Sequence, residues 1–217
     1  MRTAIDNYLK AIFECSFSKR KTTNKQLADY LKVAPPSVNG TIKKLEEKGL
    51  VYRRPYGPIM LSDVGLQQTL KLIRHFRLCE SWLVYDFDLP LQLVPRQAWL
   101  ISDFDNPQII NQLNNYLNYP KFSPFGGAIQ DSNLMTNDGS QPLINFNRGQ
   151  RVRINSYLES ENMINVLQTM NLDLKQTLTI ISYNPHKQML KAKREDSHVL
   201  NISEEIAKCV YVSTLDS

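Results

Sequence analysis

Two side chains that can bind metal ions lie close together in the segment LIRHFRLCE, residues 72–80. The apolar spacing around His75 and Glu80 predicts a long helix, and a histidine four residues before a glutamate would share its helix face. Here the residue four before Glu80 is Phe76. His75 is one position away, which turns its side chain by about 100° on a helix of about 3.6 residues per turn. The segment therefore has the outline of a metal site without the complete ligand pair.

The rest of the sequence offers little catalytic chemistry. It contains no Gly-rich phosphate loop, no GxSxG elbow and no HExxH motif, and its 3 histidines are scattered. We therefore expect a protein that is not an enzyme. The cysteines Cys15, Cys79 and Cys209 are odd in number and form no CxxC pair, which predicts reduced thiols. Without a membrane-length apolar run or a signal-peptide core, we expect a cytoplasmic protein with no membrane partner.

The charge is distributed unevenly along the chain. Residues 1–80 hold 15 Lys and Arg against 7 Asp and Glu, a net charge of +8. Residues 81–217 hold 11 against 14, a net charge of −3. A basic first third beside a mildly acidic remainder favours a nucleic-acid-binding module joined to another unit. A solvated basic surface is the alternative.

Three short helices are predicted in the basic part of the chain. Apolar residues at helical spacing indicate a helix over residues 4–17. Thr23, with Gln26 three residues later, fits a capping box at the start of a helix over residues 24–31. The segment PPSVNGTIKKLEEKG then has prolines where a first helical turn tolerates them and a glycine where a helix commonly ends.

The segment LVYRRPYGPIML that follows predicts two short strands around a turn. Two helices, a tight connection and a hairpin in this order are typical of a winged helix-turn-helix, whose second helix enters the major groove while the hairpin meets phosphates. A charged helix surface with no DNA partner is the alternative. The residues predicted to contact DNA are Thr23, Pro36, Ser37, Asn39, Gly40, Lys43, Lys44, Arg53, Arg54 and Tyr56.

Several segments resemble the diphtheria-toxin-repressor and manganese-transport-regulator family of metal-responsive bacterial repressors. The likeness is carried by NYLKAIF, LADYLKVAPPSVNGTIKKLEEKGLV, YGPIMLSDVG, RLCESWLV and YPKFSPFGG. The C-terminal part, from RGQRVRINSY onward, is similar to the SH3-like domain of many members. The resemblance implies a homodimer that binds a palindromic DNA operator when iron or manganese holds the N-terminal helix against the dimerisation helices.

The chain is accordingly expected to be mainly helical with a small β part. The expected units are a winged helix-turn-helix DNA-binding domain (1–62), a helical dimerisation domain (63–125), a linker (126–147) and an SH3-like small β-barrel (148–217). Ser62 is suited to cap a long helix, and a second helix is predicted around residues 107–117. Their apolar faces would meet in a dimer or pack in an intramolecular core. On the long helix the apolar positions are Val64, Leu70, Ile73, Phe76, Leu83 and Phe87.

The metal ligands that the resemblance implies are mostly absent. The N-terminal ligand positions are Asn7 and Lys10, and the HxxxE pair becomes Phe76 and Glu80. The later ligand positions become Pro95, Trp99, Ser102, Asp103, Ser123, Pro124 and Phe125. Only Glu80 and Asp103 keep strong ligand chemistry, with Asn7 as a weak oxygen donor.

Three hypotheses account for the rings of Phe76, Trp99 and Phe125 at former ligand positions. In the first, a ring cluster fills the old cavities and holds the winged helix in a DNA-competent position without an ion. In the second, the replacements are drift in a degenerate paralogue. In the third, the aromatic pocket binds an organic effector. The cofactor is thus unknown or there is none, whereas the family implies manganese or iron.

Two further functions stay open. One is a repressor that still depends on metal and uses Glu80, Asp103, Asn7 and a glutamate from the tail. Glu159 and Glu161 are the candidates there, although a solvated loop is the favoured interpretation of that segment. The other is an interaction protein that kept the fold without DNA binding. If DNA is bound, Gly40 reads no base edge, so we expect an operator preference unlike that of the family.

Overall fold

A computed structural model describes residues 2–17, 22–53, 57–104, 106–129, 140–159 and 161–215, with backbone alone for residues 161 and 162. The helices are α1 (Ala4–Phe17), α2 (Asn24–Leu31), α3 (Pro35–Glu47), α4 (Asp63–Tyr85), α5 (Val94–Ile101), α6 (Pro107–Tyr116), α7 (Glu161–Thr169) and α8 (Glu204–Cys209). The strands are β1 (Val51–Arg53), β2 (Ile59–Leu61), β3 (Gln141–Pro142), β4 (Arg151–Tyr157), β5 (Thr177–Asn184), β6 (Met189–Arg194), β7 (Val199–Ser203) and β8 (Val210–Thr214).

The first three helices and the hairpin form the expected winged helix-turn-helix. Thr23 caps α2, and its hydroxyl accepts a hydrogen bond from the backbone N–H of Gln26, as the capping box requires. Strands β1 and β2 pair antiparallel. The apolar stripes of the three helices share one core, which contains Leu9, Ile12, Leu27, Val38, Ile42, Leu45, Val51 and Ile59.

The described part of the central unit contains three helices, whereas two were predicted from the sequence. Ser62 caps α4 as expected, and its hydroxyl accepts a hydrogen bond from the backbone N–H of Gly65. The additional helix α5 spans only eight residues and packs Ala98 against Phe76 and Cys79 of α4. Too short to show a clear apolar period, this helix was missed in the sequence.

The apolar face predicted on the long helix is only partly buried. Ile73 and Phe76 are in the core, but the side chains of Val64 and Phe87 are 66% and 60% exposed. Phe87 also lies beyond the end of α4 at Tyr85, so it belongs to the turn and not to the helix. The Phe87 ring packs edge to face on Trp82 but stays largely exposed.

The C-terminal unit is a six-stranded antiparallel sheet with strand order β3-β8-β4-β5-β6-β7. Inward residues of the strands, with α7 and α8, enclose a separate apolar core. The unit begins before residue 148, because Gln141 and Pro142 pair with β8 and Leu143 is buried in this core. The expected linker (126–147) therefore overlaps the first strand of the sheet. The mainly helical fold with a small β unit is confirmed.

Within the described ranges, every helix is too short or too polar to cross a membrane. Cys79 is buried, whereas Cys15 and Cys209 are half-buried; Cys79 and Cys209 are free thiols.

Candidate functional site

One face of α3 is open to solvent. Val38, Ile42 and Leu45 point into the core. The residues predicted to contact DNA on this helix are all exposed, namely Pro36, Ser37, Asn39, Gly40, Lys43 and Lys44. A Cβ atom added at Gly40 would meet nothing within 4 Å, so the glycine lies on an open surface. The polar, basic face of α3 is therefore exposed.

Contacts with neighbouring elements fix the position of this helix. The Asn24 Nδ2 amide of α2 donates a hydrogen bond to Asn39 Oδ1 of α3, at 2.5 Å. On the hairpin, Arg53 Nε lies 3.1 Å from Glu46 Oε1 of α3. Arg53 was predicted to meet phosphate, and in the protein alone it forms an ion pair with α3. Arg54 and Tyr56 lie outside the described residues.

A second set of contacts joins α1 to α5 at former ligand positions. The indole Nε1–H of Trp99 donates a hydrogen bond to Asn7 Oδ1, at 2.7 Å. The guanidinium carbon of Arg2 lies 4.1 Å from the centroid of the Trp99 ring, within the range of a cation–π interaction. Arg2 Nη2 also donates to the carbonyl and hydroxyl oxygens of Ser102, each at 2.7 Å. Side chains of the protein therefore bridge the two elements directly.

Lys10 supplies a buried cation beside these rings. Its residue is 8% exposed, and its Nζ lies 4.6 Å from the Phe76 ring centroid and 5.4 Å from that of Trp99. The two rings meet edge to face with centroids 5.7 Å apart. Lys10 Nζ also lies 2.6 Å from Glu14 Oε1, and the Tyr30 hydroxyl donates to the other oxygen of Glu14. The Lys10 ammonium group thus lies among residues at positions where the family resemblance implies metal ligands.

The three aromatic replacements do not form one cluster. Phe76 and Trp99 pack with Ala98 and Cys79. Phe125 is 2% exposed and packs in a different cluster with Val94 and Ile164. The expectation of a single three-ring cluster is wrong, because Phe125 faces the C-terminal unit and not α1.

Among the described residues, the buried charged side chains are three glutamates and two cations, namely Glu14, Glu80 and Glu159 with Lys10 and Arg77. Burial raises the pKa of Glu14 to about 7, an effect that Lys10 opposes and the Glu159 carboxylate reinforces. Burial also raises the pKa of Glu80 well above its usual range, and Glu159 adds to this rise. The cations of Arg77 and Lys10 oppose it. Both carboxyl groups therefore favour the protonated form more than an exposed glutamate does.

The remaining candidate ligands do not fit an iron or manganese ion. Glu80 is fully buried beside Ser123, whose hydroxyl opposes the rise in the pKa of this glutamate. Asn7 is engaged by Trp99. Burial lowers the pKa of Arg2, and the nearby Asp103 opposes that shift. Burial, with Arg2, Arg74 and Lys71 nearby, lowers the pKa of His75 to about 4. Within the described residues, no three His, Cys, Asp or Glu side chains are grouped to hold an ion.

Three charged residues of this region were missed in the sequence. Arg2, Glu14 and Arg77 all carry buried or partly buried contacts with residues distant in the chain. For Arg77 the available signal was a charge four residues after the apolar Ile73 on the long helix, whereas Arg2 precedes α1 and has no such signal. For Glu159 the solvated-loop interpretation is wrong, because the residue is 4% exposed and pairs with Arg77. The side chain of Glu161 lies outside the described residues.

The fold and its open basic helix define a winged helix-turn-helix protein with a central helical unit and a C-terminal β unit. A family model described as "Iron dependent repressor, N-terminal DNA binding domain" matches residues 1–59. A second, described as "Iron dependent repressor, metal binding and dimerisation domain", matches residues 62–131. The chain belongs to the iron-dependent repressor family, as the sequence resemblance indicated.

Individual relatives are distant. The iron-dependent repressor IdeR of Mycobacterium leprae is 26% identical over 122 residues, which are 56% of this chain and 53% of that protein. The diphtheria toxin repressor of Corynebacterium glutamicum is 25% identical over 122 residues, 56% of this chain and 54% of that protein. The matches thus span about half the length of these curated relatives. The solved structure of the metal-dependent transcriptional regulator MtsR is 27% identical and covers 99% of this chain and 100% of its own, with a TM-score of 0.88.

Proposed function

We propose that this protein is a homodimeric DNA-binding transcriptional repressor whose DNA-reading unit is held in place by side chains and not by a metal ion. It would act in the cytoplasm on a double-stranded operator. Membership of the iron-dependent repressor family supports the DNA-binding part. The metal-independent part is supported by the contacts between α1 and the central unit.

The exposed face of α3 supports contact with the major groove. Ser37, Asn39, Lys43 and Lys44 offer hydrogen-bond donors and positive charge on an exposed surface of the helix. An α-helix fits the major groove, where base edges are legible, and lysines neutralise phosphates. Thr23 at the start of α2 and Arg53 on the hairpin would flank this helix along the DNA backbone.

The observation that carries the metal-independent part is the junction of Asn7, Lys10 and Trp99. A hydrogen bond of 2.7 Å joins Asn7 to Trp99, and the Lys10 ammonium stands over the aromatic rings. These contacts connect α1 to α4 and α5, the elements that an ion joins according to the family resemblance. Because Lys10 is a buried positive charge, it also disfavours a second cation nearby.

Uncovered apolar side chains support a dimer formed by the central unit. Contiguous exposed apolar surface on a protein of this size commonly marks an interface. A symmetric pairing of helices would bury it and set the distance between two reading helices. In the described part of the central unit, the large exposed apolar residues are Val64, Tyr85, Phe87, Leu93, Leu100, Ile109, Tyr116, Tyr119 and Phe122.

DNA binding in the presence of a chelator tests the proposal. The protein would first select duplexes from a randomised pool in EDTA, and their affinity would then be measured by fluorescence anisotropy at several salt concentrations. We expect binding in EDTA that changes little when manganese or iron is added. Strict dependence on either metal would overturn the metal-independent part, and absence of binding in every condition would overturn DNA binding itself.

Charge reversal on α3 locates the binding face. The double variant Lys43→Glu/Lys44→Glu should bind DNA more weakly, and its log–log salt slope should fall by about 0.9 for each phosphate that it no longer neutralises. The matched control is Lys191→Glu/Lys193→Glu, which reverses two exposed lysines on β6 of the C-terminal unit. An equal fall in affinity for the two variants would show a non-specific charge effect and would contradict the assignment of α3.

A further inference from the structure

Arg77 is a buried arginine at the meeting point of three segments. It lies on α4, and its residue is only 7% exposed. Its Nε lies 3.2 Å from Oε1 of Glu159, just beyond the end of β4. Its Nη1 donates a hydrogen bond to the carbonyl oxygen of Ala128, at 2.9 Å. One guanidinium group therefore contacts both the C-terminal unit and the segment that follows α6.

The surrounding backbone is shaped to accommodate this side chain. A Cβ atom at Gly127 would lie 2.4 Å from Arg77 Nε, so only glycine allows the close approach of the guanidinium. Gly126 has a φ of +81°, and a Cβ atom there would lie 2.0 Å from the Asn155 carbonyl oxygen of β4. Next to it, the backbone N–H of Tyr157 donates to the carbonyl of Phe125, at 3.0 Å. Two consecutive glycines thus bring Arg77 and β4 against the same stretch of chain.

Arg77 interacts with two buried glutamates, the kind of side chain that also binds cations. Glu159 is 4% exposed and Glu80 is fully buried, and Arg77 acts on both carboxyl groups electrostatically. Glu159 contacts Arg77 directly, whereas Glu80 is influenced by both Arg77 and Lys10. A planar guanidinium can contact several oxygens at once and stays protonated when buried.

We propose that Arg77 is a built-in cation that docks the C-terminal unit on the central unit permanently, so that this docking needs no metal ion. The inference rests on the proposed metal-independent function. It extends that function from the contacts between α1 and the central unit to the contact between α4 and the C-terminal unit. Arg77 is a positioning residue and contacts no DNA. Removal of its guanidinium would leave room beside Glu159 for an external guanidinium ion.

Hydrogen exchange in EDTA, without DNA, tests the docking. The variants are Arg77→Met, which keeps an unbranched apolar stem without the charged guanidinium, and Glu159→Gln. We expect exchange at the backbone amides of Gly126, Ile129 and Tyr157 to rise by about 100-fold in both, because breaking a buried ion pair exposes the contacts it holds. Amides in the core of the C-terminal sheet should stay protected. Arg74→Met, on the same helix, is the matched control and should leave all three amides unchanged.

Chemical rescue adds a readout that a general loss of packing would not give. In Arg77→Ala, methylguanidinium at millimolar concentration should restore protection of Tyr157. Arg74→Ala should not respond to it. Wild-type exchange rates in both Arg77→Met and Glu159→Gln would overturn the proposal, as would a loss of protection in Arg77→Ala that methylguanidinium does not reverse.

The two proposals fail in different ways. If docking is lost in the Arg77 variants while the wild-type protein binds DNA only with added metal, the metal-independent function fails and the role of Arg77 stands. If wild-type DNA binding persists in EDTA while the Arg77 variants keep full protection, the role of Arg77 fails alone.

Discussion

The indole nitrogen of Trp99 donates a hydrogen bond to Oδ1 of Asn7, at 2.7 Å, although the two residues are 92 positions apart in the chain. The bond joins α5 of the central unit to α1 of the DNA-reading unit. Both residues stand at positions where the family resemblance implies metal ligands. A direct contact between side chains therefore makes the connection that the resemblance assigns to an ion.

Replacing Trp99 by phenylalanine removes this hydrogen bond and keeps an aromatic ring. We expect the free energy of unfolding to fall by about 1 kcal/mol, the usual worth of one such bond. If the bond also sets the position of the reading unit, affinity for selected duplexes in EDTA should fall by up to about fivefold, the equivalent of that energy. Chemical denaturation and fluorescence anisotropy measure the two effects.

Tyr183→Phe is the control for the Trp99 variant. It removes a hydroxyl that donates to Glu204 within the C-terminal unit, far from α1 in the chain. This variant should keep its DNA affinity. Unchanged DNA affinity in Trp99→Phe as well would separate the hydrogen bond from the function proposed for it.

Lys10→Met tests the buried cation. The change leaves Glu14 buried without its ion-pair partner, which typically destabilises a protein by about 3–5 kcal/mol. The double variant Lys10→Met/Glu14→Leu removes both charges and should recover most of that stability, because no unpaired charge remains. Denaturant unfolding of the single and double variants measures the coupling. Additive destabilisation would mean that the two side chains do not act as a pair.

The raised pKa of Glu14 gives a defined pH dependence. Its carboxyl group has an ordinary pKa of 4.5 and a pKa of about 7 in the folded protein. Its contribution to stability is therefore complete below pH 4.5 and is lost as the pH rises through 7, at a cost of about 3 kcal/mol. The difference in unfolding free energy between wild type and Glu14→Gln should shift by this amount across that range, with the wild type losing stability.

The corresponding control is Glu47→Gln, which alters an exposed carboxyl group on α3. Relative to the wild type, its unfolding free energy should keep a constant offset over the same pH range, because an exposed side chain meets similar solvent in the folded and unfolded states. A constant offset for Glu14→Gln too would contradict the burial effect at Glu14.

Gly40→Ala separates the stability of α3 from DNA contact. Since the position is exposed, with open space around the added methyl group, alanine should stabilise the protein by about 0.5–1 kcal/mol through its helix propensity. If the α3 backbone approaches the DNA closely at this glycine, affinity should fall at the same time. Thermal unfolding and anisotropy would check the two opposite changes. A rise in both would show that Gly40 is only a weak point of the helix.

Much of the DNA-reading unit could be predicted from local sequence. The bounds of α1 and α2 agree with the predicted ones, because capping at Thr23 and apolar spacing act within a few residues. The helix α5 is as short as α2 but has no capping side chain at its start, and it packs on α4, so local sequence did not reveal it. The early start of the C-terminal sheet was missed for a similar reason, since β3 is defined by its pairing with β8.

The sequence by itself determined the order of helices and strands, the polar face of α3 and the absence of metal ligands at Phe76 and Trp99. These features depend on residue type and on spacings of a few positions. Only the tertiary structure decided what replaced the ligands. Asn7 meets Trp99, and Arg77 meets Glu159 across 82 positions, because separate helices and strands bring them together. A helical or strand period relates neighbours within an element, and it carries no information on which distant charge will share a buried site.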